Sequence, residues 1–109
     1  MNLVELFKSL GDETRLRIVT LLHQQQLCVC EMVEITGLSQ PKISRHIARL
    51  RTSDIVVANR NEQYVYYSLN RDLPEFPELL DWIARHTTDA VFNADQDNLR
   101  MIESFVCTR

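Results

Sequence analysis

The chain has 109 residues, of which 45% are hydrophobic and 25% charged, with a formal net charge of −3. This length predicts one compact domain, and the ordinary composition excludes collagen-like, low-complexity and fully disordered chains. No segment approaches the roughly 20 consecutive apolar residues of a membrane span, and no basic segment followed by an apolar one opens the chain, so we expect a cytoplasmic protein without membrane contact.

Helical spacing of apolar residues predicts two helices at the start of the chain. The first covers residues 3–10 and stops at Gly11. Asp12 can cap the second helix, because a carboxylate accepts a hydrogen bond from the N–H groups that a first helical turn leaves unpaired. The apolar face of the second helix carries Leu16, Val19 and Leu22.

The next segment predicts two helices joined by a tight turn. A short third helix extends from Cys28 to Thr36, and Gly37 stops it. Ser39 is a strong N-cap for a fourth helix, which ends near residues 52–53, and Pro41 stands in its first turn, where a missing N–H does no harm. A buried stripe of this fourth helix consists of Ile43, Ile47 and Leu50.

Two strands and two further helices follow. Residues Ile55–Ala58 and Tyr64–Leu69 are rich in β-branched and aromatic residues, and the polar segment Asn59–Gln63 joins them into a hairpin. Helices are then predicted at about Glu78–Phe92 and Asp95–Val106. The predicted fold is mainly α with a two-stranded β-hairpin, a dimeric winged helix-turn-helix. Residues 1–109 form a single DNA-binding domain, whose terminal helices are apolar enough to pair two subunits.

Charge is unevenly distributed along the chain. Residues 37–61 contain five basic residues and one acidic residue, whereas residues 71–109 contain eight acidic residues and four arginines. A basic middle and an acidic end indicate one face that contacts phosphate and another that avoids it. A solvated helix face is the alternative that charge alone leaves open.

The fourth helix has the features of a helix that reads DNA. Such a helix needs a narrow apolar stripe, polar residues near its N-terminus and flanking groups that contact phosphate. Gln40 can pair with adenine, Arg45 with guanine or a phosphate, and His46 is open to a structural role instead. The predicted DNA contacts are Ser39, Gln40, Lys42, Ser44, Arg45, His46, Arg49 and, beside the hairpin tip, Arg60.

The chain has three cysteines, and only one residue separates Cys28 from Cys30. So short a spacing is a poor arrangement for a disulfide between the two. Close cysteines in a cytosolic protein more often bind metal or take part in redox chemistry. Burial as small apolar residues is the alternative for the pair and, more strongly, for Cys107.

Three segments together resemble a known family. Residues Phe7–Ile18, Leu27–Met32 and Ser39–Arg51 follow one another as in the ArsR/SmtB winged-helix metalloregulators, and within that family as in the arsenical-resistance repressors. The resemblance extends from about Leu3 through Leu69, and the last third of the chain matches only in helical character. The runs Leu-Cys-Val-Cys and Ser-Gln-Pro-Lys-Ile-Ser-Arg-His are its most specific parts.

The resemblance implies a homodimer that binds a palindromic double-stranded operator, needs no cofactor, and is released by trivalent arsenic or antimony. It also implies that Cys28 and Cys30 bind this inducer. In the family's arsenical pattern a third cysteine stands where this chain has Val33. Either two thiolates are then enough to bind the inducer, or a third sulfur comes from Cys107 or from a small external thiol. Residues i and i+2 of a helix lie about 200° apart, so we expect binding to unwind the first turn of the third helix.

Other functions are weighed against this one. The alternative within the same fold is a repressor that responds to thiol oxidation. An enzyme is not expected, because none of the three histidines falls in a catalytic motif and no Gly-rich phosphate loop is present. A zinc site on the fifth helix is not expected either, since Asp81, His86 and Asp89 lack the family's spacing.

Overall fold

A computed structural model of the chain describes residues 2–73 and 76–104. The elements in chain order are α1 (Leu3–Leu10), α2 (Glu13–Gln24), α3 (Val29–Thr36), α4 (Gln40–Thr52), β1 (Val56–Asn61), β2 (Tyr64–Leu69), α5 (Phe76–His86), α6 (Ala90–Arg100) and a 3-10 turn at Ile102–Ser104. The predicted winged helix-turn-helix is confirmed, because α3 and α4 form a helix-turn-helix and the antiparallel hairpin after them is the wing. Within the described ranges, no helix is long and apolar enough to cross a membrane.

Side-chain caps fix where the helices of the first half begin. Asn2, Asp12 and Ser39 each accept a hydrogen bond from the backbone N–H three residues further on, at 2.8 to 3.3 Å. Each such cap contributes about 1 kcal/mol to helix stability. Gly37 ends α3 in the left-handed region with φ 73°, and this turns the chain toward α4.

The core lies where α2, α3 and α4 meet the base of the hairpin. The predicted stripe of α4 is buried, because Ile43, Ile47 and Leu50 are at most 2% exposed. Other fully buried side chains around it are Ile18, Leu21, Leu22, Leu27, Met32, Ile35 and Ile55. Burial of each such side chain contributes roughly 1.5–3 kcal/mol, so α4 is held by one face and keeps its other face exposed.

The wing is longer than the sequence predicts. Residues Asn59–Asn61 were expected in a loop but continue β1, since each pairs with one residue of Tyr64–Tyr66. The turn consists of Glu62 and Gln63, and Glu62 has φ 58°. At the other end of the hairpin, Leu27 pairs with Tyr67 through two backbone hydrogen bonds of 3.1 and 2.8 Å, which attach the segment before α3 to β2.

The C-terminal helices also differ from the prediction. A single helix over Glu78–Phe92 is wrong, because α5 ends at His86 and α6 begins after Asp89. Thr87 donates its hydroxyl to the carbonyl of Ile83 at 3.0 Å, and Asp89 has the extended conformation of an N-cap. The predicted last helix, Asp95–Val106, is also wrong in its bounds, because α6 covers Ala90–Arg100 and a 3-10 turn follows at Ile102–Ser104. Residues 105–109, with Cys107, lie outside the described residues.

A buried ion pair attaches α6 to α2. The guanidinium of Arg17 on α2 donates to both carboxylate oxygens of Asp95 at 2.7 and 2.8 Å, and Asp95 is 1% exposed. Arg17 also donates to the carbonyl of Thr36, and the amide of Asn98 donates to the carbonyl of Ile35. These bonds satisfy carbonyls at the C-terminal end of α3 and hold that end against α2 and α6.

Candidate nucleic-acid interface and thiol site

The outer face of α4 presents polar and cationic side chains. Ser39, Gln40 and Arg45 are exposed, and Lys42 and Ser44 are half-buried. The amide of Gln40 donates to the hydroxyl of Ser44 at 2.8 Å, which holds both side chains near the N-terminal end of the helix. This arrangement is suited to base edges in a major groove, with Arg45 beside them for guanine or phosphate. The contacts themselves stay predictions.

His46 lies between α4 and the start of α2. Its Nδ1 is 3.3 Å from the Arg15 guanidinium and 3.9 Å from the Asp12 carboxylate. Burial lowers the pKa of His46, although the carboxylate of Asp12 opposes this effect. The imidazole is therefore mainly neutral at pH 7, and it attaches α4 to α2 in a way that fits the structural alternative.

The two remaining predicted cations occupy different surroundings. Arg49 forms an ion pair with Glu5 of α1 at 3.0 Å, so it has an intramolecular partner in addition to any phosphate. Arg60 is exposed near the end of β1, where its Cα is paired with that of Val65. It thus stands close to the tip of the wing, as expected.

The two neighbouring cysteines occupy unlike positions. Cys28 is the extended N-cap residue of α3 rather than a helical residue, and it is 3% exposed. It forms a capping box with Glu31, in which the Glu31 carboxylate accepts the Cys28 N–H at 3.0 Å. Burial raises the pKa of the Cys28 thiol. Cys30 is half-buried in the first turn and takes part in a disulfide bond.

This geometry corrects the argument from helical spacing. The expected angle of about 200° applies only when both residues are helical. Because Cys28 precedes the helix, its side-chain direction is set by an extended backbone with φ −89° and ψ 167°. The helical angle therefore does not describe this pair, and it gives no reason to expect the first turn of α3 to unwind.

A cavity lies between the cysteines and the face of α4 that is predicted to read DNA. It has a volume of about 610 Å³ and lies between α3, the start of α4 and β2. The residues that line it include Cys28 and Cys30 as well as Gln40 and Ser44. Any group bound by the two sulfurs thus lies beside two of the predicted base-reading side chains.

The described residues provide two sulfurs but no larger ligand set. No group of three His, Cys, Asp or Glu side chains in residues 2–73 and 76–104 is arranged to hold a metal ion. The Nε2 atom of His23 lies 3.2 Å from a carboxylate oxygen of Asp81 on α5, but these two side chains alone do not make a group of three. After reduction of the Cys30 disulfide, two soft thiolates would fit a thiophilic, three-bonded ligand better than a tetrahedral zinc ion, which needs four ligands.

Sequence reasoning missed three residues of this region. Glu31 closes the capping box, and the spacing Cys-x-x-Glu is a signal for it once cysteine is accepted as a cap. Tyr67 lines the cavity and pairs with Leu27, but nothing in a single strand reveals such a bridge. Arg15 donates to the carbonyl of Ser9 at 2.6 Å and contacts His46, which a local pattern does not predict.

Comparisons with known proteins give consistent results. The sequence profile of bacterial regulatory proteins of the ArsR family matches residues 12–57. An arsenic resistance transcriptional regulator of Pseudomonas putida is 45% identical over 85 residues, which cover 77% of this chain and 64% of that relative. The arsenical resistance operon repressor of Escherichia coli is 38% identical over 100 residues, which cover 91% of this chain and 80% of that relative.

Among solved structures, reduced HlyU from Vibrio cholerae is similar with a TM-score of 0.71 at 30% identity. The similarity covers 79% of this chain and 88% of that one. The present chain thus spans less than two thirds of the length of the Pseudomonas relative but most of the Escherichia and Vibrio proteins.

Proposed function

The chain belongs to the ArsR family of bacterial regulatory proteins, and we propose that it is a metalloid-responsive transcriptional repressor. Membership confirms the resemblance inferred from the sequence, and the relatives are transcriptional regulators rather than enzymes. As a homodimer, the protein binds operator DNA in the cytoplasm and requires no cofactor. Trivalent arsenic or antimony, bound by cysteine thiolates, releases the DNA.

One observation carries this proposal: Cys28 and Cys30 share a cavity with Gln40 and Ser44. Inducer binding and base reading then involve residues that line the same cavity. A family relationship alone leaves open how the two events are linked. Here the link is local, because the group held by the sulfurs stands next to the Gln40–Ser44 hydrogen bond of 2.8 Å.

The steps of release follow from the residues around the sulfurs. When the Cys28 sulfur binds the inducer, it stops capping the N-terminus of α3. Loss of an N-cap weakens a helix by about 1 kcal/mol. The C-terminal end of α3 stays fixed by Arg17 and Asn98, so the N-terminal end moves relative to α4. A shift from 1:99 to 99:1 in favour of the released state needs a preference of roughly 5.5 kcal/mol, which thiolate bonds are strong enough to supply.

A titration of the DNA complex tests the inducer. The reduced protein is bound to fluorescent DNA from its own promoter, and sodium arsenite or antimonyl tartrate is added while anisotropy is recorded. We expect anisotropy to fall to the value of free DNA. Unchanged anisotropy at saturating inducer, with thiols reduced, rejects arsenic and antimony as inducers.

Arg45→Ala is expected to weaken operator binding by about 1–3 kcal/mol, because the arginine is exposed on α4 where it can fork onto a base. Arg51→Ala, in the last turn of α4, serves as the matched control. It removes a cation without touching the N-terminal half, so it should weaken all DNA sequences alike and reduce the salt slope by about one. Equal losses on specific and random DNA for Arg45→Ala would assign that residue to phosphate contact instead.

The dimer is proposed to form through α1 and α5. Leu3, Val4, Phe7 and Trp82 are 53 to 64% exposed. Several of them line an apolar groove of about 490 Å³ between the two helices. An exposed apolar patch of this kind usually marks an interface. A second copy of the chain would cover this patch. The two α4 helices of the dimer then contact the two half-sites of a palindromic operator.

Phe7→Asp is therefore expected to shift the protein from dimer to monomer in sedimentation experiments, since it places a charge in the apolar groove. Phe7 is more than half exposed, so the monomer should stay folded by circular dichroism. Lys8→Asp, a charge change at the next position of α1, should leave the dimer intact. A dimer of unchanged stability in Phe7→Asp would place the interface elsewhere.

A second candidate function is favoured by the disulfide of Cys30. The protein is then a repressor that loses its operator when cysteine is oxidised. The two candidates make opposite predictions for the same DNA complex. Release by peroxide that dithiothreitol reverses, together with no response to arsenite, supports the redox function. Release by arsenite from fully reduced protein supports the metalloid function.

A further inference from the structure

Two polar residues on one side of α1 meet two polar residues at the C-terminal end of α4. Glu5 and Ser9 are four residues apart on α1, and Arg49 and Ser53 are four residues apart on α4 and its C-cap. The Glu5 carboxylate lies 3.0 Å from the Arg49 guanidinium and accepts a hydrogen bond from the Ser53 hydroxyl at 3.1 Å. The hydroxyl oxygens of Ser9 and Ser53 are 2.7 Å apart. We call these four residues the α1–α4 junction.

The hydrogen bonds of the α1–α4 junction all lead to one carboxylate. Ser53 donates its only hydroxyl proton to Glu5, so Ser9 must be the donor in its bond with Ser53. Ser9 and Ser53 are both buried, and a buried hydroxyl that loses its partner is unfavourable. The Glu5 carboxylate therefore holds the end of α4 at one position against α1.

The other side of α1 belongs to the proposed dimer surface. Leu3, Val4 and Phe7 are exposed there. Residues 5 and 7 of a helix lie about 200° apart around its axis, so Glu5 and Phe7 point in nearly opposite directions. Helix α1 thus stands between the proposed partner subunit and the recognition helix α4 of its own subunit.

We propose that Glu5 is a positioning residue, which fixes the two α4 helices of the dimer at the separation that the operator half-sites require. This inference rests on the proposed function, because it needs the dimer formed through α1 and α5. One extra base pair moves a half-site by about 3.4 Å and turns it by about 35° around the DNA axis. A dimer with firmly held α4 helices distinguishes these spacings, whereas a dimer with loosely held helices adapts to both.

The test measures the preference of the dimer for one half-site spacing. The first DNA is the palindrome that the protein protects in its own promoter, and the second carries one additional base pair between the half-sites. Fluorescence anisotropy gives both affinities, and we call their quotient the spacing ratio. This ratio cancels any change in phosphate attraction that affects both DNAs equally. We expect Glu5→Ala to lower it at least about fivefold, the lower end of typical couplings between two sites.

Two variants separate positioning from charge. Glu5→Gln keeps an oxygen that can accept from Ser53 and Arg49, so it should keep most of the wild-type spacing ratio although the negative charge is lost. Thr52→Ala lies next to the α1–α4 junction, but the Thr52 hydroxyl donates to the carbonyl of Ala48 within α4. It should keep the full ratio. Sedimentation should find each variant dimeric, because none of these side chains belongs to the proposed dimer surface.

A double variant applies if Glu5→Ala fails to fold. Ser9→Ala combined with Ser53→Ala removes both partners of one buried hydrogen bond, a change that can be nearly neutral for stability, and it should also lower the spacing ratio. A dimeric Glu5→Ala protein with the wild-type ratio overturns the inference and leaves the proposed function standing. So does equal tightening of both DNAs in Glu5→Ala and Glu5→Gln, which would assign Glu5 to phosphate repulsion. A wild-type protein that is monomeric, or indifferent to spacing, overturns the inference together with the proposed dimer.

Discussion

Replacement of both Cys28 and Cys30 by serine should leave operator affinity unchanged and abolish release by trivalent arsenic. Serine is among the strongest N-caps, so Cys28→Ser keeps a hydrogen-bond acceptor at the start of α3 and should not weaken the fold. Serine oxygen is hard and binds arsenic poorly compared with thiolate sulfur. The variant thus loses the roughly 5.5 kcal/mol preference on which release depends.

The measurement is fluorescence anisotropy of the operator complex over a range of inducer concentrations. Cys107→Ser is the matched control, since it removes one thiol and leaves the pair. Either single substitution within the pair should also abolish release if both sulfurs bind one arsenic. Release from the double variant at the wild-type inducer concentration would show that the pair is not the site.

Asp95→Ala should destabilise the protein by about 3–5 kcal/mol, because it leaves the Arg17 guanidinium buried without its carboxylate. The free energy of unfolding from urea titrations measures this loss. Asp97→Ala on the same helix is the control, since Asp97 and its partner Arg100 are both exposed, and screened surface pairs contribute little. Stability should be nearly unchanged in this control.

A double variant keeps the interpretation clear if Asp95→Ala fails to fold. Arg17→Met combined with Asp95→Leu replaces both charges by apolar side chains of similar size. Such replacements of buried ion pairs are often neutral or stabilising, so the double variant should fold. Equal stability of wild type and Asp95→Ala would argue against a buried pair of these residues.

The helix-turn-helix and the wing were predictable because their signals are local. Ser39 and Pro41 mark the start of α4, and Gly37 marks the end of α3. Two segments rich in β-branched and aromatic residues mark the hairpin. The break between α5 and α6 was missed because it depends on the Thr87 hydroxyl bonding back to Ile83. The same apolar spacing suits one helix or two.

The site was only partly predictable. Both cysteines and the candidate base-reading face of α4 follow from residue types and spacing, and Cys28, Cys30 and Gln40 line one cavity. The angle between the cysteines was misjudged, since a boundary error of one residue moves Cys28 from helix to extended cap. The Arg17–Asp95 pair joins residues 78 positions apart, a contact that no local pattern in one sequence reveals.

Arsenic K-edge X-ray absorption spectroscopy tests the central claim most directly, because it counts the sulfur atoms bound to arsenic. The samples are reduced Cys107→Ser protein and the same protein with Cys28 and Cys30 replaced by serine. The account predicts two protein sulfurs for each bound arsenic in the first sample and no sulfur-bound arsenic in the second. Arsenic bound through sulfur in neither sample, while DNA release persists, would contradict it.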